Sequence, residues 1–293
     1  MRIDRFITVY CIDPLRKCFS GNKQFVIPIL MYHGISDQLD DQMHPYFRTV
    51  TSPARFEEQM AILKEFGCQV ITLSKAVALL KDMSILQPNG DILPGIKSST
   101  VNEQYVVVTF DDGLQDFYLK AYPILEKFGY TATVFLTTQF LNRAFITGQN
   151  CLRSSEITEL AEKGIEFGSH TVSHPLLVEL AKEKINYELR ESKKTVEQEI
   201  AQPISLFSYP FRFPEENKQF INMLNGLLVE NDYSAGVTTI IGRAKPGDNL
   251  KFLKRLPINQ SDDAKLFMAK LNGSYDWLHA VQLIFKKLKA LLH

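Results

Sequence analysis

Two adjacent carboxylates close the apolar run YVVVTFDDG: Asp111 and Asp112 follow Phe110 directly, and Gly113 lets the backbone turn sharply behind them. Neighbouring carboxylates repel unless something positive separates them. A cation carrying a water is an economical solution, with one carboxylate holding the ion and the other accepting a proton. A solvated acidic turn is the competing reading of an isolated Asp-Asp-Gly. In SHTVSHP, which follows the run IEFGS, His170 and His174 stand four apart, the spacing at which two side chains share one face of a helical turn and reach one ion. Two histidines and a carboxylate make a three-ligand centre with positions left open for water and substrate; a hydrogen-bonded histidine pair is the alternative. MYHGI ends the first apolar run at His33, although a lone histidine there is more often a core residue than a catalyst. SYPFRFP places Tyr209, Pro210, Phe211 and Arg212 where the chain leaves another strand, and Pro210, lacking an N–H, fixes the local chain so that the next amide can point into a pocket.

These segments need a scaffold that gathers them. FVIPILMYHGI, CQVITL, YVVVTF, TATVFLT, IEFGS, SLFSY and runs near 234–239 and 252–257 read as strands. Between them, helical periodicity covers 74–82, 116–128, 154–163, 182–199 and 215–230, and a further helix is capped by Ser52, begins at Pro53 and closes at Gly67. About eight strands interleaved with helices predict a parallel α/β architecture, a barrel in preference to an open sheet, with its functional residues where strands end and loops begin. Residues 84–104 form one long turn-rich stretch, read as an insert or a rim loop.

Lys+Arg and Asp+Glu each number 33 in 293 residues, so the chain has no basic excess with which to hold a polyanion, and nonspecific nucleic-acid binding is disfavoured. The four cysteines, Cys11, Cys18, Cys68 and Cys151, form no CxxC pair and read as reduced thiols. The longest apolar runs fall short of the roughly 20 residues of a membrane-spanning helix. Asp4, Arg5 and Asp13 around a short apolar patch argue against a secretory signal, so a cytoplasmic protein is expected. Near the C-terminus, Trp277, Leu278, Val281, Phe285, Leu288 and Leu292 fall on one helical stripe beside Lys286, Lys287 and Lys289. That pattern suits peripheral contact with anionic lipid, or a helix covering the barrel bottom.

Read along the chain, MYHGI, TVSPARFEEQM, TFDDG and HTVSH resemble the polysaccharide deacetylase family, the fourth family of carbohydrate esterases, over roughly residues 25–258. Their order resembles a subgroup in which the motifs are circularly permuted. The resemblance implies a distorted (β/α) barrel of seven strands, so that one of the eight lies outside it. The chain then divides into an N-terminal extension (1–24), a catalytic barrel (25–260) and a C-terminal helical segment (261–293). It implies Asp111 as general base, Asp112, His170 and His174 as metal ligands, His33 as general acid, the Phe211 amide as oxyanion contact, and Tyr209, Pro210 and Arg212 as substrate-binding residues.

Three departures stand out. Ser208 replaces the arginine two positions before the proline of the family's third motif, Arg212 replaces a glycine, and a tryptophan-containing fourth motif is missing. Arg255, in LKRLP on the last strand, is the candidate to supply a positive charge beside Asp111. The implied activity is divalent-metal hydrolysis of an N-acyl group, foremost N-acetyl, from an amino-sugar polysaccharide. Zinc is the first choice of metal, with cobalt, nickel, manganese or iron as alternatives. Competing readings are a deformylase or deacetylase of a lipid-linked sugar and, prompted by the altered third motif, a carbohydrate-binding homologue without turnover. Two histidines and an aspartate also suit non-haem iron oxygenases, whose double-stranded β-helix does not match the strand–helix alternation.

Overall fold

The computed structural model describes residues 2–18, 24–38, 43–84 and 104–291, with side chains as far as Ile284. Its strands are β1 (Ile29–Tyr32), β2 (Gly34–Ile35), β3 (Val50–Thr51), β4 (Gln69–Ile71), β5 (Tyr105–Phe110), β6 (Thr133–Leu136), β7 (Glu166–Ser169), β8 (Leu206–Ser208), β9 (Ala235–Ile241) and β10 (Leu253–Pro257). Seven of them close a parallel barrel in the order β1, β5, β6, β7, β8, β9, β10 and back to β1. The eighth run of the sequence reading, CQVITL, forms β4, which pairs with β5 through Tyr105–Val107, while β6 pairs with β5 higher up through Thr109 and Phe110. Strand β4 is therefore an addition to the barrel. The short strand β2 is the end of the FVIPILMYHGI run, and its parallel partner β3 has no counterpart in the sequence reading.

Alternation along the strands sorts residues between two cores. Val106, Val108 and Phe110 join Leu30, Tyr32, Val134 and Leu136 in a cluster with helix residues such as Phe56, Met60 and Ile157, outside the barrel. Tyr105 and Val107 join Ile29, Phe135, Leu206, Val237 and Leu253 inside it. Continuing the inward parity of each strand by two residues gives Thr109 and Asp111 above Val107, Ser208 above Leu206 and Arg255 above Leu253. The barrel interior thus changes from an apolar lower part to a polar upper layer at the C-terminal ends of the strands.

The covering helices are α1 (Pro53–Glu65), α2 (Leu73–Ser84), α3 (Tyr122–Phe128), α4 (Ser154–Glu162), α5 (Lys182–Ile200), α6 (Lys218–Glu230), α7 (Ala264–Leu271) and α8 (Trp277–Leu291). Ser52 caps α1, its Oγ accepting from the Arg55 amide, with Pro53 in the first turn. A π-helical turn, Phe117–Ala121, leads into α3. The turn-rich stretch falls mostly outside the described residues. Among those described, no helix is long and apolar enough to cross a membrane.

The N-terminal extension is itself helical, in three pieces from Ile3 to Cys18, and packs against the C-terminal segment. Asp262, buried, receives Arg2 Nη1 at 3.0 Å and Lys270 Nζ at 2.8 Å. Tyr275 donates to Asp4 at 2.7 Å and Trp277 Nε1 to Thr8 at 3.0 Å. The two segments separated in the sequence reading are therefore joined through a buried polar cluster. Of the C-terminal stripe, Trp277 and Leu278 pack against protein, in a cluster with Leu266, Tyr275 and Val9. The side chains of Phe285, Lys286, Lys287, Leu288, Lys289 and Leu292 lie outside those described.

Candidate active site

Asp111 and Arg255 meet inside the barrel mouth. The fully buried guanidinium forks onto the carboxylate, Nη1 to Oδ1 at 2.8 Å and Nη2 to Oδ2 at 2.7 Å. Its remaining donors reach Thr238 O at 3.0 Å, Thr109 Oγ1 at 3.2 Å and Ser208 Oγ at 3.1 Å. Ser208 Oγ in turn donates to Asp111 Oδ1 at 3.0 Å. Burial by itself would push the Asp111 carboxyl up, but the charge of Arg255, aided by that of His170, holds it well below the usual carboxylate range. Arg255 thus stands beside Asp111 with Ser208 filling the gap between them.

Asp112 turns the other way because its backbone is left-handed, at φ 72°, and so is that of Gly113 at φ 69°. A Cβ at Gly113 would come within 2.8 Å of Leu136 Cδ2, so a side chain there would have to displace Leu136 besides holding a left-handed backbone, both of which favour glycine. Asp112 Oδ1 lies 3.5 Å from His170 Nε2 and 3.4 Å from His174 Nε2, and it is buried without a hydrogen-bond partner. Two atoms each about 2.1 Å from a tetrahedral ion stand about 3.4 Å apart, so these spacings fit ligands around a common centre. Ligand atoms of the three residues all lie within 4.8 Å of one another.

The two histidines do not converge by sharing a helix face. Residues 170–174 are an irregular turn, with Thr171 at φ 70° and His174 at φ 56°. Glu188, buried on α5, holds this turn: its carboxylate accepts from the Val172 amide at 2.8 Å, the Ser173 amide at 2.9 Å and Ser173 Oγ at 2.8 Å. Thr171 Oγ1 accepts from the His174 amide at 3.1 Å. His170 Nδ1 lies 2.8 Å from the Ser208 carbonyl, which fixes Nδ1–H as donor and leaves Nε2 to face Asp112. Burial works to lower the His170 pKa, but the charges of Asp111 and Asp112 outweigh it and raise it; burial and the charge of His170 together push His174 down to about 4.

His33 follows β1 at the same strand ends, near enough to Asp111 and Asp112 to contribute to lowering both carboxyl pKa values. Two residues on, the Ile35 amide donates to Asp116 Oδ2 at 2.9 Å, tying the His33 segment to the turn after TFDDG. Phe211 projects outward, 46% exposed, with its ring centroid 4.4 Å from that of His174. Its backbone is left-handed at φ 58°, its carbonyl accepts from Thr239 Oγ1 at 3.1 Å, and its amide has no protein acceptor among the described residues. Four non-glycine residues of the site, Asp112, Thr171, His174 and Phe211, hold positive φ, and strain of this kind concentrates where a site over-determines the backbone. Arg212 is exposed and ion-pairs with Glu216.

Pro210 is buried, and Tyr209 is a correction to the sequence reading. Its side chain, 2% exposed, packs edge-on against Phe213 in the core between α6 and the barrel, so it offers no surface to a substrate. Strand parity explains this: Ser208 faces into the barrel, so Tyr209 faces out. Glu188 is the site residue that sequence reasoning missed. Its signal was a glutamate on the apolar stripe Ile185, Leu189, Val196 of α5.

A family model described as polysaccharide deacetylase matches residues 98–227. The chain is 28% identical over 249 residues to YxkH of Bacillus subtilis, a provisionally named polysaccharide deacetylase, spanning 84% of this chain and 76% of that one. It is 24% identical over 222 residues to the poly-β-1,6-N-acetyl-D-glucosamine N-deacetylase of Staphylococcus aureus, spanning 73% of this chain and 68% of the relative. Among solved structures, the deacetylase PplD of Streptococcus pyogenes in complex with acetate aligns with a TM-score of 0.67 and 25% identity, covering 85% of this chain and 99% of that one. Likeness of sequence over most of the chain and likeness of fold over a similar share lead to one conclusion: this chain is similar to the polysaccharide deacetylases, whose family model matches residues 98–227 of it.

Proposed function

We propose that this chain is a metal-dependent hydrolase that removes N-acetyl groups from an amino-sugar polysaccharide. The observation that carries the reading is Asp112 Oδ1, buried and without a hydrogen-bond partner, standing 3.4–3.5 Å from the Nε2 atoms of His170 and His174. Asp112, His170 and His174 would hold a divalent ion, and two imidazoles with one carboxylate suit zinc. Such an ion supplies Lewis acidity and lowers the pKa of a bound water from 15.7 toward about 7.

The chain's own residues do the rest. Asp111, held ionised by Arg255, takes the proton of the attacking water. The Phe211 amide donates to the oxyanion that develops on the acetyl carbonyl, and one well-placed donor of this kind lowers a barrier by about 3 kcal/mol. His33 gives a proton to the departing amine. The relatives' names, an N-acetylglucosamine-polymer N-deacetylase and a deacetylase captured with acetate, support the substrate class. The test is acetate and formate release from a panel of N-acylated saccharides, with and without chelator. Asp111→Asn is expected to abolish release while metal content stays at the wild-type level, and Asp112→Ala to lose the metal. Release of formate alone would move the activity to a deformylase. An Asp111→Asn enzyme that retains its rate, or loses its metal, would show that Asp111 is not the general base.

A further inference from the structure

His170 is aimed by a hydrogen bond on its own ring, Nδ1 to the Ser208 carbonyl, whereas the His33 ring has no such bond among the described residues. The aim of His33 is therefore set by its backbone, and two bonds bracket that backbone. One residue before it, the Tyr32 carbonyl accepts from the Asp111 amide at 3.0 Å. Two residues after it, the Ile35 amide donates to Asp116 Oδ2 at 2.9 Å. Both partners belong to TFDDGLQD, the segment that also carries Asp111 and Asp112. The pairing of Gly34 and Ile35 with Val50 and Thr51 of β3 ties the same stretch to a different loop.

Asp116 is a costly residue to keep where it stands. Its Oδ1 is buried and has no hydrogen-bond partner, so the group is only half satisfied. Burial pushes its carboxyl up to about 7, against the pull of the Ile35 amide and the charge of Lys120. Stability alone therefore gives little reason for an acid here beyond the one bond it makes. Gly34 is shaped around that bond: a Cβ there would stand 3.1 Å from Asp116 Oδ2 and 3.5 Å from Val50 Cγ2. Its φ is not positive, so what calls for glycine is the close approach of the carboxyl and not the backbone conformation. The other side-chain link between the two segments, Lys120 to Asp37 at 3.5 Å, lies at the surface and contributes little.

We propose that Asp116 is the positioning residue of the general acid: by holding the Ile35 amide it keeps His33 in place over the loop that carries Asp111 and Asp112. The proposal rests on the deacetylase reading for the role of His33, and on the bracketed backbone and the Gly34 approach for the rest. It separates two halves of the reaction. Proton delivery to the departing amine depends on Asp116, whereas activation of water at Asp111 and support of the oxyanion by the Phe211 amide do not.

The test uses two substrates with unequal need of an acid. An N-acetylglucosamine tetrasaccharide departs as an amine that must be protonated, whereas 4-nitrophenyl acetate departs as a stable phenolate. In the zinc-loaded protein, Asp116→Ala is expected to lower kcat on the tetrasaccharide about 100-fold, the scale of a displaced catalytic group, with KM and the turnover of 4-nitrophenyl acetate at wild-type levels. Gly34→Ala crowds the same bond while leaving the carboxyl in place. It should act in the same sense with a smaller loss, and it decides the matter if Asp116→Ala fails to fold. Added to His33→Ala, Asp116→Ala should cost nothing further. Hydrogen exchange at the Ile35 amide, followed by NMR in the metal-free protein, should be slow in the wild type and faster in both variants. Equal slowing of the two substrates, a loss that adds to that of His33→Ala, or unchanged Ile35 exchange would overturn the proposal and leave the deacetylase reading intact. A wild-type enzyme that releases no acetate from any saccharide, with Ile35 exchange still dependent on Asp116, would sink the deacetylase reading and the role of His33 with it, while the Asp116–Ile35 clamp itself stood.

Discussion

Replacing Arg255 by methionine removes the charged partner of a carboxylate that is 3% exposed. Asp111 then loses both prongs of the guanidinium fork and keeps only Ser208 Oγ, at 3.0 Å. Breaking a buried pair from one side costs about 3–5 kcal/mol, because an uncompensated charge is left behind. Against a typical total stability of about 5–15 kcal/mol, this is readily measured by urea unfolding of the metal-free protein. The pH dependence has a definite sign. In the wild type the depressed Asp111 pKa contributes stability that is present above the ordinary value of 3.8 and is lost as pH falls through the folded value. Without Arg255, burial is opposed only by Ser208 Oγ and by the weaker influence of the histidines, and the carboxyl takes up a proton in the folded state at higher pH. The deficit of Arg255→Met relative to wild type should therefore be largest at pH 7 and shrink toward pH 4. Adding Asp111→Asn to Arg255→Met removes the stranded charge and should recover a large part of the loss, a coupling that a double-mutant cycle measures. A deficit below about 1 kcal/mol at pH 7, or no recovery in the double variant, would refute the electrostatic account of the pair.

The turn that presents the histidines depends on a carboxylate remote from the chemistry: Glu188→Ala strands two amides and a hydroxyl, and should weaken metal binding about 10–100-fold in a chelator competition, an unchanged affinity removing Glu188 from this role. Burial pushes the Cys68 thiol up to about 11 and Cys151 up to about 12, whereas Cys11 and Cys18 are exposed. At pH 8 an aromatic disulfide reagent should therefore titrate two thiols quickly and the other two only after denaturation, the raised pKa alone slowing them by about 100-fold or more; four thiols reacting together would contradict the packing. Asp262→Asn leaves Arg2 and Lys270 facing a neutral amide in the buried cluster, so a loss of about 3–5 kcal/mol, or roughly 6–20 °C in Tm, is expected by calorimetry, with the N-terminal arm becoming sensitive to protease. A wild-type Tm would show that the arm is not anchored there.

What was legible in the sequence was what periodicity and adjacency encode. Runs of apolar residues located all seven barrel strands and β4, and alternation within YVVVTFDDG carries Asp111 inward by counting residues two at a time from Val107. Counting in the same way along LKRLP and SLFSY puts Arg255 and Ser208 in the same layer, so the substitution of serine for the family's arginine could be read as a charge relocated to another strand. The same rule, applied one residue further, would have turned Tyr209 away from the substrate. The less legible features depend on tertiary geometry. Histidines four apart suggested a helical turn, yet residues 170–174 reach the same convergence through two left-handed residues and the carboxylate of Glu188, which lies 14 positions downstream on a different element. A buried glutamate on an apolar stripe is a sequence signal that something must satisfy it, but the sequence does not say what. The helical arm formed by residues 3–18 escaped for a related reason: its partners, Asp262, Tyr275 and Trp277, are at the other end of the chain. Local pattern thus specifies which strand ends carry functional groups. The aim of each side chain is set by non-local hydrogen bonds, such as those from Ser208, Glu188 and Asp116, so the positioning residues, more than the ligands, are where substitution would show how this barrel differs from its relatives.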